Sequence, residues 1–330
     1  MRAPDFWHRR AGWQAVLLAP LAALASAVSA RRVAKAATFH ADVPTICVGN
    51  INLGGTGKTP TVIALIEALG ANGMAAHVVS RGYGGTLEGP VRVQAARHSA
   101  GQVGDEPLLI SAFAPVWVAK NRADGARAAQ EAGADVIVMD DGFQNPSVAK
   151  DLSFVVVDAH VGFGNGRVVP AGPLREAPHM GLARAQGVVL VGDHAAQDAF
   201  IQAWAKPLGD LPVLRAHLAP VDTGRDWSQV RAVAFAGIGR PEKFFATLES
   251  LGATIVSRHA LDDHQAIPPA LFERLRAEAR DLGAQLVTTE KDLMRLPTAA
   301  QREVLPVMVR LEFADPERLG DFLSPQALRR

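Results

Sequence analysis

The stretch VGNINLGGTGKTP, Val48 to Pro60, decides how the rest of the chain is read. Gly54, Gly55 and Gly57 leave the backbone free to turn its N–H groups inward around phosphate oxygens, an approach that side chains would block. Lys58 can reach the outer phosphates, and the Thr59 hydroxyl can ligate Mg2+. Before the loop stands TICVG (45–49), a short apolar run that reads as a buried strand. After it, TVIALIEALG (61–70) has helical periodicity, with Pro60 suited to a first turn. A helix there points its positive end at the anion. The usual pattern G-x-x-x-x-G-K-[ST] has glycine where this chain has Asn52, but asparagine also tolerates left-handed geometry. The expected nucleotide-binding run is therefore Asn52, Leu53, Gly54, Gly55, Thr56, Gly57, Lys58 and Thr59.

Strand-like runs recur at AAHVVS (75–80), PVWVA (115–119), DVIVMDDGFQ (135–144) and LSFVVVDAH (152–160), with a helical pattern over 121–133. Such alternation predicts an α/β fold: a P-loop NTPase-like, mainly parallel sheet with helices on both faces. The pattern loosens around 207–226 and resumes with strands at 231–239, 254–260 and 285–292 and helices at 241–252 and 269–283. The expected organisation is a terminal segment 1–40, a nucleotide domain 41–215 and a smaller α/β domain 216–330. The tail after Pro297 carries no readable motif. VIVMD ends on Asp140, with Asp141 beside it, at the carboxyl end of a strand. Open α/β sheets bind ligands there, and a phosphate loop needs an acid near it for Mg2+.

With 330 residues the chain can bury two cores, and its single cysteine, Cys47, excludes an intrachain disulfide. A net charge of +1 gives no general case for nucleic-acid binding. The charge is unevenly placed: residues 1–40 carry six basic side chains against Asp5 alone, so residues 41–330 are net negative by four. The basic residues bracket WQAVLLAPLAALASAVSA (13–30), which is free of charge and about 27 Å long as a helix. A cleaved signal peptide, a spanning helix and a retained interfacial helix all fit this segment. A working ATP site argues against export, which favours a retained anchor whose flanking charges meet anionic head groups.

Phosphoryl transfer to an alcohol needs a base beside the acceptor hydroxyl. GDEP (104–107) offers Asp105 and Glu106 in a loop; LDDHQ (261–265) offers Asp262, Asp263 and His264. A guanine-reading N-K-x-D is absent, and Leu53 stands where partitioning ATPases carry lysine before two glycines.

Taken in order, VGNINLGGTGKTP, SRGYGG, GDEP, DDGFQ, PAGPLRE, GIGRPEKFF, DHQ and TEKD resemble the tetraacyldisaccharide 4′-kinase family of Gram-negative bacteria, over most of the chain to about residue 292. The resemblance implies transfer of the ATP γ-phosphate to the 4′-hydroxyl of a tetraacylated disaccharide 1-phosphate, the lipid A precursor, at the cytoplasmic face of the inner membrane. It implies Asp105 as general base assisted by His264, and Lys58 on the phosphates. Thr59, Asp140 and Glu106 would serve Mg2+, and Tyr83 the nucleotide. Asp141, Arg175 and Glu176 would place phosphates or sugar. The family often has two histidines after the aspartate, whereas here His264 is followed by Gln265. Nothing in the sequence points to a protein partner.

Overall fold

The computed structural model describes residues 4–9, 11–263 and 265–328. Its strands are β1 (Thr45–Gly49), β2 (Ala76–Ser80), β3 (Val91–Arg92), β4 (Val116–Val118), β5 (Val136–Asp140), β6 (Leu152–Asp158), β7 (Gly187–Val191), β8 (Val213–Pro220), β9 (Arg231–Ala236), β10 (Thr254–Ala260), β11 (Gln285–Thr289), β12 (Val304–Val307) and β13 (Val309–Phe313). A large sheet runs β13-β8-β7-β6-β1-β5-β2-β4-β3, and a small one runs β10-β9-β11-β12. Pairing is parallel except at the two edges, where β3 opposes β4 and β13 opposes β8.

β1 is buried throughout and lies where the chain changes direction of growth. β2, β4 and β5 are added on one side, and β6, β7 and β8 on the other. Its carboxyl end therefore opens into the crevice at which doubly wound sheets bind ligands. The helix Lys58–Ala71 covers one face through Val62, Leu65, Ile66 and Leu69. Helix Arg122–Glu131 and Phe200 of helix His194–Leu208 cover the other. In the small sheet, helix Pro241–Ser250 packs on one face and helix Pro269–Asp281 on the other.

The fold class is as expected, but three local expectations change. The expected boundary near 215 falls inside β8, which pairs with β7 from Val213 onward and so belongs to the large sheet. The small sheet begins at Arg231, and β13 then returns to pair with β8. The unreadable tail thereby completes the first core: Leu311, Leu319 and Leu323 join the cluster of Val62 and Leu65, and Phe322 meets Phe154 edge-on at 5.4 Å between centroids. Secondly, the strand expected over 285–292 ends at Thr289, whose hydroxyl accepts from the Asp292 N–H at 3.1 Å and starts the short helix Glu290–Leu293. The threonine cap signal overrides the extended pattern. Thirdly, the apolar N-terminal segment forms two pieces, Trp13–Leu17 and Ala19–Val33. Pro20 explains the break, since proline suits a first turn and not a helix interior. Among the described residues no helix is long and apolar enough to cross a membrane.

Because the phosphate-loop helix shares its core with the tail, Leu323→Ala should cost about 2–5 kcal/mol, the usual range for a fully buried leucine. Denaturant titration checks this, and a loss below 1 kcal/mol would show that the tail does not support the first core.

Candidate active site

The loop between β1 and the helix Lys58–Ala71 takes positive φ at Gly54 (111°) and at Gly57 (95°), the latter capping the helix. Side chains rarely adopt these angles, so both positions call for glycine. Asn50 ties the turn together, donating to the Gly54 carbonyl and the Thr56 hydroxyl, each at 3.1 Å. The departure from glycine at Asn52 has a clear structural use. Its buried amide donates to the Gly162 carbonyl at 2.8 Å, and Leu53 N–H donates to the Pro173 carbonyl at 2.7 Å. The start of the loop is thus stitched to the 162–175 segment, which a glycine at 52 could not do through a side chain.

Asp140 and Asp141 end β5 side by side but face different surroundings. Asp141 is, among the described residues, the non-glycine residue with positive φ (51°), and this turn separates the two side chains. Asp140 points into the sheet, accepting from the Ser80 hydroxyl at 2.9 Å, while its Oδ1 is buried with no partner. Burial, with the nearby charges of Glu106 and Asp141, pushes its carboxyl up to about 7. Asp141 is also raised by burial, but Lys58 and Arg175 outweigh this and hold it below the usual carboxylate range. The Lys58 ammonium lies 3.7 Å from Asp141 Oδ1, and Arg175 Nη1 lies 3.1 Å from the same atom. Arg122, buried beneath, donates to the carbonyls of both aspartates at 3.1 Å and fixes the turn.

From Arg175 a polar chain continues. It donates to Gln144 Oε1 at 3.1 Å, and Gln144 donates to Glu176 Oε1 at 3.0 Å and to the Asn50 carbonyl at 2.7 Å. The other Glu176 oxygen pairs with Arg184. Buried polar atoms without a partner gather here: Asn50 Oδ1, Asn52 Oδ1, Asp140 Oδ1, Arg122 Nε and Arg175 Nε all belong to this site. Such atoms are rare in folded proteins, and a cluster of them in one crevice is consistent with room for an ion, water or ligand there.

GDEP is a helix start rather than the expected loop. Gly104 (φ 93°) caps the helix Asp105–Ile110, and Pro107 fits its first turn. Asp105 is buried, and Arg295 of the small lobe grips its Oδ2 through Nε (2.7 Å) and Nη2 (2.6 Å). Arg295 is held in turn by Asp292 at 2.7 Å and the Gly237 carbonyl at 2.9 Å. Glu106 pairs with Lys291 at 2.9 Å. Burial pulls the Lys291 ammonium down, but Glu106 and Asp105 more than reverse that and hold it above its ordinary value. TEKD and GDEP therefore meet across the lobes. A second bridge joins buried Asp158, at the end of β6, to Lys243 (2.7 Å) and Arg240 (3.4 Å).

Of the expected residues, Lys58, Thr59, Asp140, Asp141 and Arg175 gather at the carboxyl end of β1 and β5. Glu176 follows through Gln144, and Asp105 and Glu106 lie at the lobe interface. Tyr83 is exposed in the glycine-rich turn after β2, and Leu53 is about half exposed. His264 lies outside the described residues. Arg122, Arg184 and Arg295 were not anticipated, and none lies inside a recognised motif. Gln144 and Lys291 do, within DDGFQ and TEKD.

A family model described as tetraacyldisaccharide-1-P 4′-kinase matches residues 14–327. The chain belongs to that family. Relatives named tetraacyldisaccharide 4′-kinase include one from Dinoroseobacter shibae, 57% identical with both chains covered in full, and one from a Jannaschia species, 54% identical over 96% of each. An LpxK crystal structure from Aquifex aeolicus, described as in complex with ATP, matches at TM-score 0.74 and 24% identity over 95% of this chain and 99% of that one, which bears on the fold alone. The variant loop with Asn52 thus stands in a chain of kinase family membership.

Asp140 is costly to keep charged where no cation meets it. Asp140→Asn should remove that cost and raise the melting temperature at pH 8 by about 2–4 °C for each kcal/mol recovered, while activity falls at least a hundredfold. The sign follows from a folded-state pKa above the unfolded one: the charged carboxylate destabilises the fold as pH rises past its unfolded value. An unchanged or lower melting temperature would show that Asp140 is not under electrostatic strain.

Proposed function

We infer that this chain is an ATP-dependent kinase that moves the γ-phosphate to the 4′-hydroxyl of tetraacyldisaccharide 1-phosphate in lipid A biosynthesis. The observation that carries the reading is the juxtaposition at one crevice of a phosphate loop, an unpartnered buried carboxylate oxygen on Asp140 and the Lys58–Asp141–Arg175 chain.

The loop N–H groups and Lys58 bind the outer phosphates, and Lys58 is kept in place by Asp141 until they arrive. Thr59 and Asp140 are assigned to Mg2+: a carboxyl pushed up to about 7 with one free oxygen suits a divalent cation in place of the proton. Among the described residues no group of three acidic, histidine or cysteine side chains gathers. Mg2+ commonly takes one or two carboxylates and completes its shell with phosphate and water. When bound it neutralises charge on the phosphates. Glu106, engaged by Lys291, is assigned to joining the lobes beside that site.

Asp105 is assigned as the base. The acceptor oxygen forms a bond to the γ-phosphorus, the bond from that phosphorus to the bridging oxygen breaks, ADP leaves, and the hydroxyl proton passes to Asp105. An ion-paired carboxylate is a weak base, yet the transition state is loose and asks more for orientation than for basicity. Arg295 supplies that orientation from the small lobe. His264 is assigned as its assistant, Tyr83 to the nucleotide, and Arg175 and Glu176 to placing the acceptor. ADP release and lobe opening would then involve the Asp158 and Glu106 bridges.

Trp13, Leu17 and Leu24, exposed to 72%, 71% and 64%, share a helical stripe with exposed Val16, Leu21 and Val28. We assign this stripe to the cytoplasmic face of the inner membrane, with Arg31, Arg32 and Lys35 meeting anionic head groups.

Asp105→Ala should lower kcat by two or more decades with little change in ATP affinity, as measured by γ-phosphate transfer and nucleotide titration. A fully active variant would assign the base elsewhere. Leu17→Ser combined with Leu24→Ser should weaken vesicle binding at least tenfold, from two lost apolar contacts, and leave turnover of a water-soluble short-chain acceptor within twofold. Unchanged co-sedimentation would remove the stripe from membrane contact.

A further inference from the structure

A cavity of about 250 Å³ lies between the segment following the N-terminal helix and the stretch that carries the DDGFQ chain back to β6. Val33, Lys35 and Ala37 form one wall; Phe143, Lys150 and Arg184 contribute to the other. Three of its lining residues are cations and none is acidic. Arg184 stacks 4.4 Å over the Phe143 ring and satisfies Glu176, so its charge is partly answered. Lys150 and Lys35 form no ion pair among the described residues. Lys150 is half-buried and donates to the Asn145 carbonyl. Burial chiefly, with Arg184 and Arg122 adding, pulls its ammonium below the ordinary lysine value. A cavity lined by unanswered positive charge is under electrostatic tension that an anion relieves.

Its position narrows the anion. The cavity adjoins the end of the helix whose exposed stripe is apolar and whose last turn carries Arg31 and Arg32, so on the membrane assignment made above it would sit at the level of charged head groups. It is also joined to the phosphate loop by the polar chain Lys58, Asp141, Arg175, Gln144, Glu176 and Arg184. We propose that this cavity is a phosphate-binding subsite, in which Lys150 and Lys35 hold a lipid-borne phosphate at head-group depth while Arg184 links it to Glu176. The proposal rests on the functional reading above. Two lipids offer this group: the acceptor through its own 1-phosphate, and an anionic phospholipid of the surrounding bilayer.

The test compares the full wild-type chain with Lys150→Gln, Lys150→Arg and Lys35→Gln. Rates are measured in micelles on tetraacyldisaccharide 1-phosphate and on the same lipid with a free 1-hydroxyl. Binding is measured on vesicles of phosphatidylglycerol and of phosphatidylcholine. If the acceptor supplies the phosphate, Lys150→Gln should raise KM about tenfold on the phosphorylated acceptor, the effect of one lost charged contact, and leave the free-hydroxyl acceptor within twofold. If a phospholipid supplies it, both acceptors respond alike, but the preference for phosphatidylglycerol vesicles falls about tenfold. Lys150→Arg should retain the wild-type behaviour in either case. Selectivity unchanged in both assays overturns the subsite. Should Lys150→Gln fail to fold by thermal melting, Lys35→Gln at the rim decides by the same two readouts, with a smaller shift of about threefold. A wild type that turns over neither acceptor refutes the kinase reading, and the vesicle arm still decides the subsite.

Discussion

Two neighbouring carboxylates cannot share one environment at the end of a strand without mutual repulsion, and the site is organised by how that repulsion is resolved. The positive φ of Asp141 turns its side chain out to Lys58 and Arg175, leaving Asp140 inside against Ser80. Arg122 secures the turn through backbone carbonyls, not carboxylates, so both acids keep their oxygens for other partners. The register carries this outward. Val48 of β1 pairs with Asp140, which sets the acid beside the strand that feeds the phosphate loop. Ser80, one residue past the pairing of Val79 with Met139, arrives at the same level from β2.

Much of this was legible from residue pattern because it rests on local constraints. A glycine loop between an apolar strand and an amphipathic helix has few alternatives, and acids at a strand's end announce a ligand. Three strands of the small sheet were legible from their alternation with helices, but its fourth, β12, lies in the tail that carried no readable pattern. What could not be read depended on contacts distant in sequence. Arg295 is an ordinary arginine until the fold brings it 190 positions back to Asp105. Arg184 carries no local signature, since its partner Glu176 is eight residues away, across the short helix Pro178–Leu182. The boundary near 215 was misplaced for the same reason. β8 looks like the end of a pattern, and only its pairing with β13, nearly 100 residues later, shows that the first lobe is unfinished there.

The two lobes are joined chemically as well as by chain. Asp105, Glu106 and Asp158 all come from the large lobe, while their cations Arg295, Lys291, Arg240 and Lys243 all come from the small one. Partly buried charge pairs of this kind are geometrically demanding and contribute modest net stability, because desolvation offsets attraction. Their geometric demands favour one alignment of the two lobes. Of these cations Arg295 holds Asp105, the acid assigned as base, so on that assignment one contact both joins the lobes and orients the base.

The return of β13 and the C-terminal helices to the first core has a bearing on how the chain matures. During synthesis the phosphate loop, its helix and the strands β1 to β8 emerge early, but the cluster around Val62 and Leu65 lacks Leu311, Leu319 and Leu323 until the last part of the chain is made. The small lobe, closed on its own two faces by residues 227–307, can fold before that point. Contacts between positions this far apart form slowly and leave apolar surface uncovered meanwhile. A nucleotide site completed by its own tail is therefore assembled late, so a truncated or stalled chain would present the loop without the core that supports it.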